Sequence, residues 1–179
     1  MLAFTAGRLL TPTDAVEHPL VLVEQGRVLE ISARSGRQAP AGISVSDFGD
    51  GVMAPGYVDL HIHGSAGYDV MDDNAEALPA IEQLLARHGV TSYFPTTVSA
   101  PMDATLRALE RLADAIENRE RERERQNADD KIRALPLGIH LEGPFISHVR
   151  RGVHPHENLL APKLSTFEQF WHAARGRIR

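Results

Sequence analysis

From Gly56 onward the chain alternates short apolar, β-branched runs with longer stretches of helical periodicity, and this alternation restricts it to a fold built on a parallel sheet. Parallel neighbours cannot be joined by a tight turn, so a helix has to carry the chain back between them. A first strand is expected from about Tyr57 to His63, after the loop residues Gly51, Pro55 and Gly56. Asn74 to His88 places Leu78, Ile81, Leu84 and Leu85 on one helical face, with Pro79 in the first turn and Gly89 as the stop. Thr91 to Val98 reads as the next strand, and Pro95 implies that its ladder stops or bulges there. A second helix begins near Asp103, with Leu106, Leu109, Ala113 and Ile116 on its buried face. LPLGIHLEGPF gives a third strand, a long loop runs from Ile146 to Lys163, and STFEQFWHAARG gives a third helix with Ser165 as N-cap.

The residues ahead of this alternation read differently. VLVEQGRVLEIS pairs two apolar runs around Gln25-Gly26, as a hairpin does, so residues 1–54 are expected to be part of a small β-sandwich domain. Residues 55–179 then hold the first three βα units of a (β/α)8 TIM-type barrel, truncated where Gly176-Arg177-Ile178-Arg179 opens a fourth strand. A whole barrel takes about 250 residues.

Composition excludes several function classes. The net charge of −5 offers no basic field for a phosphate backbone, so nucleic acid is not an expected partner. Cysteine is absent, so a metal would need His, Asp or Glu ligands. No apolar run reaches membrane-spanning length, and Arg8 interrupts the N-terminal apolar stretch; a cytoplasmic location without membrane association is expected. The charged tract NRERERERQNADD has like charges at i,i+4, which fits a solvated helix end and loop better than a docking surface.

Two stretches carry chemistry. Residues at i and i+2 of a strand share a face, so His61 and His63 present two imidazoles side by side. That is either half of a zinc-type site, or one hydrogen-bonded core histidine beside another at a strand end. In Gly138-Ile139-His140-Leu141-Glu142-Gly143-Pro144-Phe145 a carboxylate is driven into an apolar run, where it needs a partner. At the C-terminal end of a barrel strand, Glu142 would meet either a metal shared with His61 and His63 or the guanidinium of an arginine. His140 is open between orienting a ligand and packing in the core.

APGYVDLHIHG, GIHLEGPF and GVHPHENL together resemble the amidohydrolase superfamily, and within it the amino-sugar-phosphate deacetylases. The resemblance covers essentially the whole chain but only about the first half of such an enzyme. It implies hydrolysis of the N-acetyl group of N-acetylglucosamine 6-phosphate to glucosamine 6-phosphate and acetate. His61, His63 and Glu142 are implied as metal ligands, and His154 as a substrate contact. The implied cofactor is a divalent metal, Zn²⁺ first with Fe, Mn or Co as other candidates, in one or two ions, and the implied assembly is a homodimer. The general acid/base of the family is an aspartate after a late barrel strand, and it is expected beyond residue 179, so the chain as it stands is expected to be an inactive fragment. His156, separated from His154 by Pro155, reads as a loop feature. A cyclic-amide or acylamino-acid hydrolase would use the same His-x-His pair, and a truncated product would bind metal without catalysis. Glu142 in HLEGPF favours the deacetylase.

Overall fold

The structure, a computed structural model, describes residues 1–36, 38–124 and 132–179. The chain divides into two compact units, Met1–Pro55 and Gly56–Arg179.

The first unit is all β. Strands β1 (Leu2–Thr5), β2 (Arg8–Leu10), β3 (Ala15–Glu17), β4 (Pro19–Glu24), β5 (Arg27–Ala33), β6 (Val45–Asp47) and β7 (Val52–Met53) form a sheet of order β5-β4-β1-β6 and another of order β3-β2-β7. The β4–β5 hairpin closes at Gln25-Gly26, where φ is 51° and 73°. Both central residues are left-handed, the geometry whose twist matches that of the flanking strands. Ala3, Leu20 and Leu22 form the small buried cluster of this unit.

The second unit starts with β8 (Tyr57–Ile62) and a short hairpin of β9 (Gly64–Ser65) and β10 (Tyr68–Asp69). Then follow α1 (Ala77–Arg87), β11 (Val90–Thr97), α2 (Met102–Glu124), β12 (Leu135–Pro136), β13 (His140–Leu141) and α3 (Leu164–Ala173). β11 is central: it pairs in parallel with β8 on one side and with β12 and β13 on the other. Pro95 has no N–H to give the ladder, and the β8–β11 register shifts between Tyr93 and Pro95. Beyond the shift, Pro95 faces Ile62 and Thr96 faces His140, so the C-terminal ends of three parallel strands lie side by side. The sheet is open; the described residues close no barrel.

Three expectations need correction. LPLGIHLEGPF does not make one strand but two short ones, because its register against β11 slips by one residue opposite Phe94 and Pro95, where the proline has no N–H to give. Ile139 N–H donates to the Arg177 carbonyl at 2.8 Å, and Ile139 bridges Ile178 in parallel. On α1 the fully buried residues are Ala77, Ile81, Glu82 and Leu85, while Leu78 and Leu84 are half-buried. The buried face is therefore turned so that a carboxylate enters the core. On α3 the extended residue before the helix is Lys163, whose carbonyl accepts from Thr166 and Phe167, so Ser165 lies inside the first turn and is not the cap.

The core of this unit is Ile81, Leu85, Tyr93, Leu109, Leu112, Ile116, Ile139 and Phe170. Leu109, Ala113 and Ile116 of α2 are buried and Leu106 packs against them, which is the expected face. The charged tract is not wholly solvated: Arg119 is only 9% exposed and, with Arg133, faces Glu82 and Glu122. Its residues from 125 onward lie outside the described ones. Among the described residues, no helix is long and apolar enough to cross a membrane.

Candidate metal centre

His61 and His63 leave the end of β8 with their rings edge to face, and the two Nε2 atoms are 3.0 Å apart. Glu142 follows β13 directly and brings Oε2 to 3.0 Å from His63 Nε2 and 3.6 Å from His61 Nε2. The parallel register of β8, β11 and β13 is what makes residues so distant in sequence converge.

The local hydrogen bonds fix which atoms face the centre. The Thr96 carbonyl can only accept, so the 2.9 Å contact from His63 Nδ1 is a donated N–H. A neutral imidazole protonated on Nδ1 carries its lone pair on Nε2, the atom turned toward Glu142. The Thr96 hydroxyl accepts from Ile62 N–H at 3.1 Å and donates to the Phe94 carbonyl at 3.1 Å, tying the ends of β8 and β11 together. His140 Nδ1 lies 3.4 Å from the same hydroxyl, and its ring meets His61 edge-on. It therefore borders the centre without joining it.

His61, His63 and Glu142 each offer one ligand atom, all within 4.8 Å of one another. The His63 Nε2 lone pair and a carboxylate oxygen 3.0 Å apart repel unless a cation stands between them. Ligands at the usual Zn–N and Zn–O distances of about 2.0–2.2 Å in a tetrahedron are about 3.3–3.5 Å apart. The observed separations of 3.0, 3.0 and 3.6 Å bracket that spacing, so the donor set fits a divalent ion. The three side chains are 46%, 38% and 32% exposed, which leaves an ion there open to solvent and a small molecule.

His154 is placed against this centre, not out on the loop surface. It is 5% exposed, and its Nε2 is 3.4 Å from Glu142 Oε1. Its Nδ1 accepts from Ser99 N–H at 3.3 Å and lies 2.9 Å from Ser99 Oγ. His156 is elsewhere: it opens a 3₁₀ turn, is exposed, and packs its ring on His148. Thr96 and Ser99 are the residues that sequence reasoning passed over. Their only signal was a run of small hydroxyl residues at the end of a strand, and the partners that tie them to the centre are 33 to 59 positions away.

No protein-family model matches the chain. Over nearly its whole length the chain is similar to deacetylases of N-acetylated amino-sugar phosphates. It is 30% identical over 174 residues to an N-acetylgalactosamine-6-phosphate deacetylase of Escherichia coli O157:H7, covering 97% of this chain and 41% of the relative. With the N-acetylglucosamine-6-phosphate deacetylase of Bacillus subtilis it shares 28% over 171 residues, covering 96% and 41%. Among solved structures, N-acetyl-D-glucosamine-6-phosphate deacetylase from Mycobacterium smegmatis matches with a TM-score of 0.78 and 25% identity, over 100% of this chain and 46% of that one. A mutant of that enzyme, in complex with N-acetyl-D-glucosamine-6-phosphate, matches equally well over 99% and 42%. The chain thus spans about two-fifths of the length of the curated relatives it matches.

Proposed function

We propose that the protein serves the hydrolysis of the N-acetyl group of N-acetylglucosamine 6-phosphate to glucosamine 6-phosphate and acetate. In this reading His61, His63 and Glu142 hold a divalent ion, with Zn²⁺ the best match to two imidazoles and a carboxylate. The observation that carries it is the convergence of three candidate ligand atoms, His61 Nε2 and Glu142 Oε2 each lying 3.0 Å from His63 Nε2, at the C-terminal ends of parallel strands. A divalent ion there would supply Lewis acidity, activating water near neutral pH and polarising the amide carbonyl. The chain's own groups would orient: Thr96 holds the His63 ring, and His154, beside Glu142, is read as a contact to the sugar.

The second unit is read as the opening of a (β/α)8 barrel, supported by β8, β11, β13 and Ile178 following one another in parallel with helices between. A general acid/base for the leaving amine, any second metal and the phosphate contacts would then lie in the part of the relatives that this chain does not match. A cytoplasmic homodimer is the assembly in keeping with this reading.

The Escherichia coli relative supports a second reading, the C4 epimer N-acetylgalactosamine 6-phosphate as substrate. Acetate release from each sugar phosphate, by protein carrying these residues, before and after chelation and with zinc restored, tests both. Zinc-dependent release from the gluco substrate with Glu142→Ala inactive supports the first; preference for the galacto substrate moves the assignment to the second. Release that chelation leaves untouched would contradict both.

A further inference from the structure

We infer that Ser99 is a positioning residue: it docks the loop after β13 and holds His154 as the tautomer whose Nε2–H is directed at Glu142. The geometry stands by itself, and only the consequence for metal affinity rests on the function proposed above.

Every polar group of Ser99 is engaged by that loop. Its N–H donates to His154 Nδ1 at 3.3 Å, its Oγ lies 2.9 Å from the same nitrogen, and its carbonyl accepts from Asn158 Nδ2 at 3.5 Å. A backbone N–H can only donate, so Nδ1 must be an acceptor and the neutral ring carries its proton on Nε2. That proton faces Glu142 Oε1 at 3.4 Å, while the other carboxylate oxygen faces His63 at 3.0 Å. One carboxylate is thereby shared, with Oε2 for the histidine pair and Oε1 for His154.

The sequence makes room for this contact at a single position. Gly143, next to Glu142, has φ of +78°, and a Cβ there would overlap Ser99 Oγ and touch His154 Nδ1. Ser99 and His154 are 4% and 5% exposed, so water cannot readily replace a lost partner. Without the hydroxyl, Nδ1 keeps only the longer backbone contact, and the ring is free to rotate or exchange tautomer. Groups that orient a ligand from behind typically change metal affinity by about 10–100-fold when removed.

The test is a long-range ¹H–¹⁵N spectrum of the metal-free chain, taken at about pH 8 where an ordinary imidazole is neutral, paired with Zn²⁺ affinity by competition against a chromophoric chelator. Wild type should show His154 Nδ1 as the unprotonated nitrogen and Nε2 as the protonated one. Ser99→Ala should give a mixture of tautomers and about tenfold weaker zinc binding, and Ser99→Thr should restore both. His154→Gln keeps an acceptor toward Ser99 and a donor toward Glu142, so it should bind zinc nearly as wild type does, whereas His154→Leu should not. This second pair decides the matter if Ser99→Ala fails to fold. A wild-type spectrum with the proton on Nδ1, an unchanged tautomer and affinity in Ser99→Ala, or equal affinities for His154→Gln and His154→Leu would overturn the inference. His61→Ala separates the two levels: if it leaves zinc binding intact, the metal reading has failed and the tautomer result alone judges Ser99.

Discussion

The imidazole of His63 donates from Nδ1 to the carbonyl oxygen of Thr96 at 2.9 Å, across two parallel strands. Because a carbonyl cannot donate in return, this bond determines that the Nε2 lone pair faces Glu142, 3.0 Å away. One backbone acceptor on β11 thus sets the chemical character of a side chain just past the end of β8.

Thr96 is fully buried, and its hydroxyl serves Ile62 N–H and the Phe94 carbonyl. Thr96→Val conserves shape and leaves Ile62 N–H without that partner, a loss of about 1–3 kcal/mol. A urea titration should show a lower midpoint at unchanged slope. Zinc affinity should also fall, since the end of β8 would no longer be pinned to β11. An unchanged midpoint would show that the hydroxyl bridges nothing of consequence.

Glu82 gives a pH dependence whose sign is fixed by its burial. It is 2% exposed, and burial pushes its pKa from 4.5 to about 7, against the pull of Arg119, Arg133 and the Tyr93 hydroxyl and aided by Glu122. The folded state binds the proton more tightly than the unfolded one. Its contribution is therefore fully present below about pH 4.5 and is lost as pH rises through about 7. The full span is worth about 3 kcal/mol. Denaturant midpoints between pH 5 and 8 should decline in wild type, and Glu82→Gln should flatten that part of the profile. A wild-type profile that rises over this window would contradict the assignment.

Gly143→Ala tests the close approach behind Glu142. The substitution forces a left-handed φ on an L residue, at about 1–2 kcal/mol, and its methyl group overlaps Ser99 Oγ. Lower thermal stability and weaker zinc binding are expected together. A drop in stability with unchanged zinc affinity would mean that the Ser99–His154 pair does not act on Glu142.

The pair at the end of β8 was legible because strand periodicity is local: residues two apart share a face whatever follows. The bulge at Pro95 was legible for a similar reason, a missing N–H. The face of α1 was not, since a hydrophobic pattern cannot announce that Glu82 enters the core; its partners Arg119 and Arg133 come from α2 and from beyond it. The broken third strand depends on a one-residue register slip against β11 opposite Pro95, which shows only once the two strands are paired. Ser99 and Thr96 look like ordinary hydroxyl residues until β11 is laid between β8 and β13. His154 was singled out from a loop motif, but its enclosure by Ser99, Glu142 and Gly143 needs the folded loop.

The most direct measurement is a crystal of the protein grown or soaked with Zn²⁺ and examined by anomalous diffraction at the zinc edge. The account predicts one strong peak about 2.0–2.2 Å from His61 Nε2, His63 Nε2 and a Glu142 carboxylate oxygen, lost in His61→Ala and in Glu142→Ala. An intact cluster that takes up no ion at saturating zinc, or an ion held elsewhere with these three side chains unbound, would contradict it.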